Sequence, residues 1–236
     1  MSAELGLWLD RALELADAAD AISLPRFGAS DLRVDQKPDL TPVTDADRAI
    51  EQALRARVAE RDEGFFGEEE GGAADGVRWI VDPIDGTKNF TRGIPVWATL
   101  IALERDGELV LGVVSAPALG RRWWAARGEG AYANGAPIHV SAVAQLADAA
   151  VSASLSPDLA ALENVTWHAR SFGDFWQHML VAEGALDAAI DYPLKLWDFA
   201  ALVPIVEEAG GRAGFNAGGQ FVTSNGLVDH EVLVTA

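Results

Sequence analysis

Trp79-Ile80-Val81-Asp82-Pro83-Ile84-Asp85-Gly86-Thr87-Lys88-Asn89-Phe90 runs an apolar strand directly into two carboxylates three residues apart. Pro83 holds Asp82 extended and Gly86 permits a tight turn after Asp85, so both acids are expected to face one point. Two carboxylates about 4 Å apart repel by about 4 kcal/mol at an effective dielectric of about 20, and a shared cation is the natural resolution. Hard oxygen ligands select Mg²⁺, with Mn²⁺ as its substitute. Gly86 and Thr87 would then offer backbone N–H groups at a helix start, a phosphate site beside the cation site. An isolated D-x-x-D is more often a turn whose second acid caps a helix. The Pro, Gly, Thr, Asn and Phe at fixed positions around this pair argue for the metal reading.

Outward from this segment, the apolar period separates helices from strands. Leu5, Trp8, Leu9, Ala12, Leu13, Ala16, Ala19 and Ile22 predict an amphipathic helix ending at Pro25, and Ile50, Leu54 and Val58 a second one starting near Thr44, after a polar loop from Asp35 to Thr41. Strands are expected at Arg78–Val81, Ala98–Leu103, Leu109–Val114 and Trp123–Ala126, with a hairpin turn at Arg105-Asp106-Gly107. Later come a strand near Val151–Ser154, a helix Asp174–Glu183, a strand Leu186–Ile190 and a helix from Trp197-Asp198 to Gly210-Gly211, kinked or delayed by Pro204. The interleaving favours a layered α/β or α+β sandwich over a Rossmann or barrel topology.

The 236 residues carry a formal charge of −18 and no cysteine, and half of them are apolar. Such acidity argues against nucleic acid and anionic membranes as partners. Lack of cysteine fits a reducing, cytoplasmic setting, and neither a signal peptide nor a membrane span is legible. His139, His168, His178 and His230 show no ligand spacing and read as structural or surface residues.

Further acids accompany the first pair. In Gly67-Glu68-Glu69-Glu70-Gly71 the flanking glycines point to one ligand, Glu68, against a solvated acidic loop. Asp198 is either an N-cap or a ligand from the opposite side, and composition leaves that open. Asp45 and Asp47 read as first-turn helix acids. In order and spacing, Gly67-Glu68-Glu69, Asp82-Pro83-Ile84-Asp85-Gly86-Thr87 and Trp197-Asp198 with Glu208-Ala209-Gly210-Gly211 resemble the inositol-monophosphatase-like, Mg²⁺-dependent, lithium-sensitive phosphatases, over nearly the whole chain.

That resemblance implies a single catalytic domain with an αβαβα sandwich of the inositol monophosphatase/fructose-bisphosphatase type, divisible into halves 1–140 and 141–236, and a homodimer. It implies that Glu68, Asp82 and the Ile84 carbonyl hold one Mg²⁺, and that Asp82, Asp85 and Asp198 hold a second. Asp47 would hold a third, weaker ion and with Thr87 activate water; Asp45 is its decoy, and the role of Lys37 stays open. The expected reaction is hydrolysis of a small phosphate monoester by activated water, with no covalent intermediate.

Within the family, Gly86–Phe90 running to Gly93–Thr99, Ala116–Trp124 and Gly173-Asp174-Phe175-Trp176 are most similar to the histidinol-phosphatases of this type. The substrate contacts implied are Asp85, Ser171, Asp174, Asp191 and Asp198. Asp174 and Asp191 would give an anionic pocket for an ammonium and an imidazole, which a polyol phosphate lacks; against this, Asp174 is read as capping its own helix and Asp191 as ending a strand in solvent. Trp97 and Trp176 are candidate walls for the imidazole, with a core role the favoured alternative for either one. Inositol monophosphate is the alternative substrate, and a regulatory relative acting on RNA or transcription complexes the alternative class, disfavoured by the charge and the lack of a basic stripe.

Overall fold

A computed structural model describes residues 3–61, 63–72, 76–154, 156–191 and 194–228. The chain starts with helix α1 (Ala3–Arg26), a hairpin of β1 (Val34–Gln36) and β2 (Pro42–Thr44), and helix α2 (Asp45–Ala59). Then come β3 (Gly64–Gly67), β4 (Val77–Asp85), the short helix α3 (Thr87–Thr91), β5 (Ala98–Arg105), β6 (Glu108–Ala116), β7 (Arg121–Ala126), β8 (Ala131–Ala133) and β9 (Ala136–Ile138). These seven strands form one sheet in chain order, antiparallel throughout except for β3 against β4.

The rest supplies β10 (Ala150–Ala153), α4 (Ser156–Leu162), β11 (His168–Arg170), α5 (Asp174–Ala182), β12 (Ala188–Asp191), α6 (Leu196–Phe199), α7 (Leu202–Glu208), β13 (Arg212–Phe215) and β14 (Phe221–Ser224). They form a mixed five-stranded sheet in the order β11-β10-β12-β14-β13.

Strand alternation fixes the layers. Trp79, Val81, Ile101, Leu103, Leu111 and Val113 pack against Ala12, Leu15, Ile50 and Leu54 of α1 and α2. Their neighbours Ile80, Leu100, Ala102 and Val114 point the other way, onto Phe175, Met179, Leu202 and Ile205 of α5 and α7. Both faces of the large sheet are therefore covered, which is why its strands read as continuous apolar runs. With the small sheet beyond α5 and α7 and α4 packed on β10 and β11, the order is the expected αβαβα. Among the described residues no helix is long and apolar enough to cross a membrane.

Several expected boundaries move for local reasons. The first helix continues through Pro25 to Arg26, because a proline in the last turn removes only one late hydrogen bond. The polar loop at Asp35–Thr41 is the tip of a hairpin: the Lys37 N–H donates to Thr41 O and the Leu40 N–H to Lys37 O. The strand expected at Leu186 begins at Ala188, since the Leu186 N–H still bonds the helix carbonyl of Leu180 and the Asp187 carboxylate accepts from the Ala150 N–H. The last helix is two, broken at Ala200–Ala201, with Pro204 in the first turn of α7 where its missing N–H costs nothing. The hairpin turn stands as expected, with Asp106 at φ 52° and Gly107 at φ 84°.

Gly112 lets the helical layer reach the large sheet: a Cβ there would lie 2.1 Å from the Ala201 carbonyl oxygen. Gly112→Ala is expected to cost about 2 kcal/mol by overpacking and to lower the melting temperature by about 5 °C, measured by thermal denaturation followed by circular dichroism.

Candidate active site

In a regular strand Asp82 and Asp85 would point to opposite faces. The β4–β5 register instead shifts between them, where Pro83 has no N–H to give and its carbonyl accepts the Thr99 hydroxyl at 2.8 Å. The bulge turns both acids to one side, where Asp198 meets them: ligand oxygens of Asp82, Asp85 and Asp198 lie within 4.8 Å of one another. Gly86 follows at φ 84°, and a Cβ there would stand 3.0 Å from Val96 O, so the turn into α3 admits glycine alone. Asp198 is not the N-cap of its helix. Lys195 is, and Asp198 in the third helical position reaches back to the Lys195 N–H.

The cluster is only partly compensated, by the Phe175 N–H on Asp85 and the Lys195 N–H and charge on Asp198. Burial pushes Asp82 well above the ordinary carboxylate range, and Glu68, Asp85 and Asp198 repel it further; its buried Oδ1 has no hydrogen-bond partner. Burial likewise raises Asp85, with Asp174 and Asp198 adding to it, and burial carries Asp198 up to about 7. Three carboxylates converging on one point, with the Asp82 Oδ1 buried and unpartnered, fit a hard divalent cation.

The other expected residues fall around this centre. Asp47 is fully buried; its Oδ2 accepts from the Thr44 N–H at 2.8 Å, its Oδ1 is 3.4 Å from the Thr87 hydroxyl, and burial with the Glu68 charge raises it to about 6. The Thr87 hydroxyl also donates to Ile84 O at 2.9 Å, and Ile84 offers the site only that carbonyl, its side chain being in the core. Asp45 turns away to Arg26 at 2.9 Å. Glu68 and Glu69 both grip Lys37, at 2.6 and 2.7 Å; burial opposes the Lys37 charge, but these bonds hold its pKa above the usual lysine value.

Two adjoining cavities share Asp85, Lys88, Asp174 and Asp198. One, of about 530 Å³, contains Glu68, Asp82 and Thr87. The other, of about 430 Å³, is lined by Ser171, Asp174, Phe175, His178 and Asp191. Asp174 does not cap α5. It has a left-handed backbone at φ 48°, its Oδ2 accepts from Asn89 Nδ2 at 3.0 Å, and the turn it makes aims the Phe175 N–H at Asp85 Oδ2, 2.6 Å away. Burial and Asp191 raise its pKa, while Lys88 opposes them. Asp191 does not end its strand in solvent: it is buried and accepts from Gln177 Nε2 at 2.9 Å.

Trp97 is core, packed tilted on Phe27 and edge-on to Phe90, and Trp176 packs edge-on against Phe172; Phe175 contributes to the cavity lining. His178, read as structural or surface, lines that cavity, whereas His230 lies outside the described residues.

Sequence reasoning also missed Glu51. Its fully buried carboxylate accepts from the Glu69 and Glu70 N–H groups at 2.7 and 2.9 Å and fixes the acidic loop. Gly67 was the available signal, since a Cβ there would fall 2.3 Å from the Glu51 carboxyl carbon.

The profile described as Inositol monophosphatase family matches residues 7–231. The chain belongs to the inositol monophosphatase family. A histidinol-phosphatase of Mycobacterium tuberculosis is 52% identical, over 94% of this chain and 95% of the relative. One from Streptomyces coelicolor is 46% identical, over 93% and 92%. A Thermotoga maritima IMPase structure superposes with a TM-score of 0.87 at 31% identity, covering 96% of this chain and 95% of that one. This inositol monophosphatase relative is accordingly a phosphoric monoester hydrolase, and Mg²⁺ dependence is general in its family.

The raised acids set the pH response of the metal-free protein. Asp198 titrates near 3.8 when unfolded but near about 7 when folded, so the folded state holds the extra proton between those values and stability falls as pH rises through them. Without divalent ions the melting temperature is expected to be lower at about pH 7.5 than at about pH 5.5, Mg²⁺ is expected to reverse that order, and Asp82→Asn to raise the metal-free value at the higher pH, all by scanning fluorimetry.

Proposed function

We propose that this chain hydrolyses L-histidinol phosphate to L-histidinol and phosphate, a step of histidine biosynthesis. The carrying observation is the second cavity: it shares Asp85 and Asp198 with the first, and its wall includes Asp174, Asp191 and Phe175. Such a wall favours a ligand carrying an ammonium and an imidazole over a neutral polyol. The two relatives named as histidinol-phosphatases are also more similar in sequence than the IMPase structure.

On this reading Glu68, Asp82, the Ile84 carbonyl, Asp85 and Asp198 hold two Mg²⁺ ions, and Asp47 a third. When bound, the ions supply charge neutralisation and Lewis acidity for a dianionic ester. The chain's own groups do the positioning. Thr87 and Asp47, hydroxyl and carboxylate in line, orient the attacking water and take its proton, a task suited to an acid raised to about 6. The Gly86 and Thr87 N–H groups receive phosphate oxygens. Asp85 and Asp198, shared by both cavities, stand between the phosphate and the rest of the substrate, which Ser171, Asp174 and Asp191 contact. The same reading includes a homodimer, checked by analytical ultracentrifugation.

The test compares phosphate release from histidinol phosphate and inositol 1-phosphate with and without Mg²⁺; equal or inositol-favoured turnover sinks the substrate claim. Asp174→Asn, which keeps the Asn89 bond in some form and tolerates the left-handed backbone, is expected to raise KM about tenfold for histidinol phosphate while leaving inositol phosphate unchanged. Asp47→Asn and Thr87→Ala are each expected to lower kcat about a hundredfold on either substrate.

A further inference from the structure

His178 takes no part in the chemistry above, yet it is almost completely buried on α5 against the substrate cavity. Its Nδ1 shares a hydrogen bond of 2.9 Å with the Thr223 hydroxyl on β14, and its ring stands edge-on to Phe221, with centroids 5.2 Å apart. The opposite nitrogen, Nε2, makes no hydrogen bond and lies 3.8 Å from Asp191 Oδ2, the oxygen that already accepts from Gln177. Nε2 is itself enclosed, so it reaches a ligand only through Asp191.

We propose that His178 is a positioning residue for substrate selection: held by Thr223 as the Nε2–H tautomer, it aims that N–H at Asp191 and fixes the carboxylate facing the cavity. The tautomer follows from the surroundings. A lone pair on Nε2 facing a carboxylate oxygen is repulsive, whereas an N–H there is attractive, and in the neutral ring this leaves Nδ1 to accept the Thr223 O–H. Thr223 can serve because β14 is paired on both sides, with β12 and β13, leaving its side chain fixed. Two successive residues of one helix thus face Asp191, Gln177 through a hydrogen bond and His178 through electrostatic attraction at 3.8 Å. The discrimination between cationic and neutral esters depends on how firmly that carboxylate is held, and this part rests on the proposed substrate.

Two measurements separate the alternatives. Long-range ¹H–¹⁵N correlation spectra of the full chain are expected to show His178 as the Nε2–H tautomer at neutral pH, and Thr223→Val to abolish that preference. In phosphate-release assays with Mg²⁺, His178→Phe and Thr223→Val are each expected to raise KM for histidinol phosphate about tenfold, leave its kcat within about twofold and leave KM for glycerol 2-phosphate unchanged, with His178→Gln restoring most of the loss. An Nδ1–H tautomer, or equal KM increases on both esters, overturns the proposal. If the unmodified protein shows no preference for histidinol phosphate, the substrate reading fails, and the tautomer measurement still decides the relay. Should His178→Phe fail to fold, Thr223→Val and the spectra carry the decision.

Discussion

The organising constraint is the enforced proximity of carboxylates that repel one another. Asp82, Asp85 and Asp198 converge on one point, Asp82 buried and the other two partly so, with Glu68, Asp174 and Asp191 close enough to add to the repulsion. A packed protein holds such an arrangement only by spending stability gained elsewhere, here in two sheets whose faces are covered by helices. The cost is offset by cations: Lys37 supplies one positive charge between Glu68 and Glu69, and a divalent ion suits the unpartnered Asp82 Oδ1 and the acids beside it. The large negative net charge and a doubly anionic substrate are compatible because the site is built to import positive charge first.

Local devices achieve the convergence. The bulge at Pro83 rotates Asp82 and Asp85 to one side, Gly86 makes the only turn that clears Val96, and the left-handed Asp174 delivers a backbone N–H to Asp85. Strain at Asp174 sits next to the chemistry, where surrounding contacts such as the Asn89 bond over-determine it. Glu51, from the inward face of α2, does for the acidic loop what Phe175 does for Asp85: each sets the direction of a group it does not itself resemble.

Much of this was legible in the residues. The Asp82–Thr87 segment carries its own turn chemistry, and strand alternation in β4 to β7 produces runs that no helix would show. Asp47 and Asp45 were separated only by the family resemblance, and the structure supplies the physical distinction in the Arg26 partner of Asp45. What stayed illegible depends on long-range packing. Asp174 and Asp198 looked like helix caps because capping is the local default, and only the arrival of Asn89 and of the Asp82 cluster gives them other partners. Trp97 and Trp176 drew attention as aromatic residues beside the motifs, but Phe27 and Phe90 enclose Trp97 in the core, and Trp176 is partly buried against Phe172. His178 carried no spacing signal at all, since its partners lie on β12 and β14.

The site's members are drawn from distant stretches of the chain: α2, the β3–β4 turn, the end of β4 and finally α6, which slots in beside the large sheet. During synthesis from the N-terminus the large sheet can therefore emerge complete while its acidic rim still lacks Asp198. On the proposed ligand set, a divalent ion would gain its Asp198 oxygen only once the last third of the polypeptide has been made.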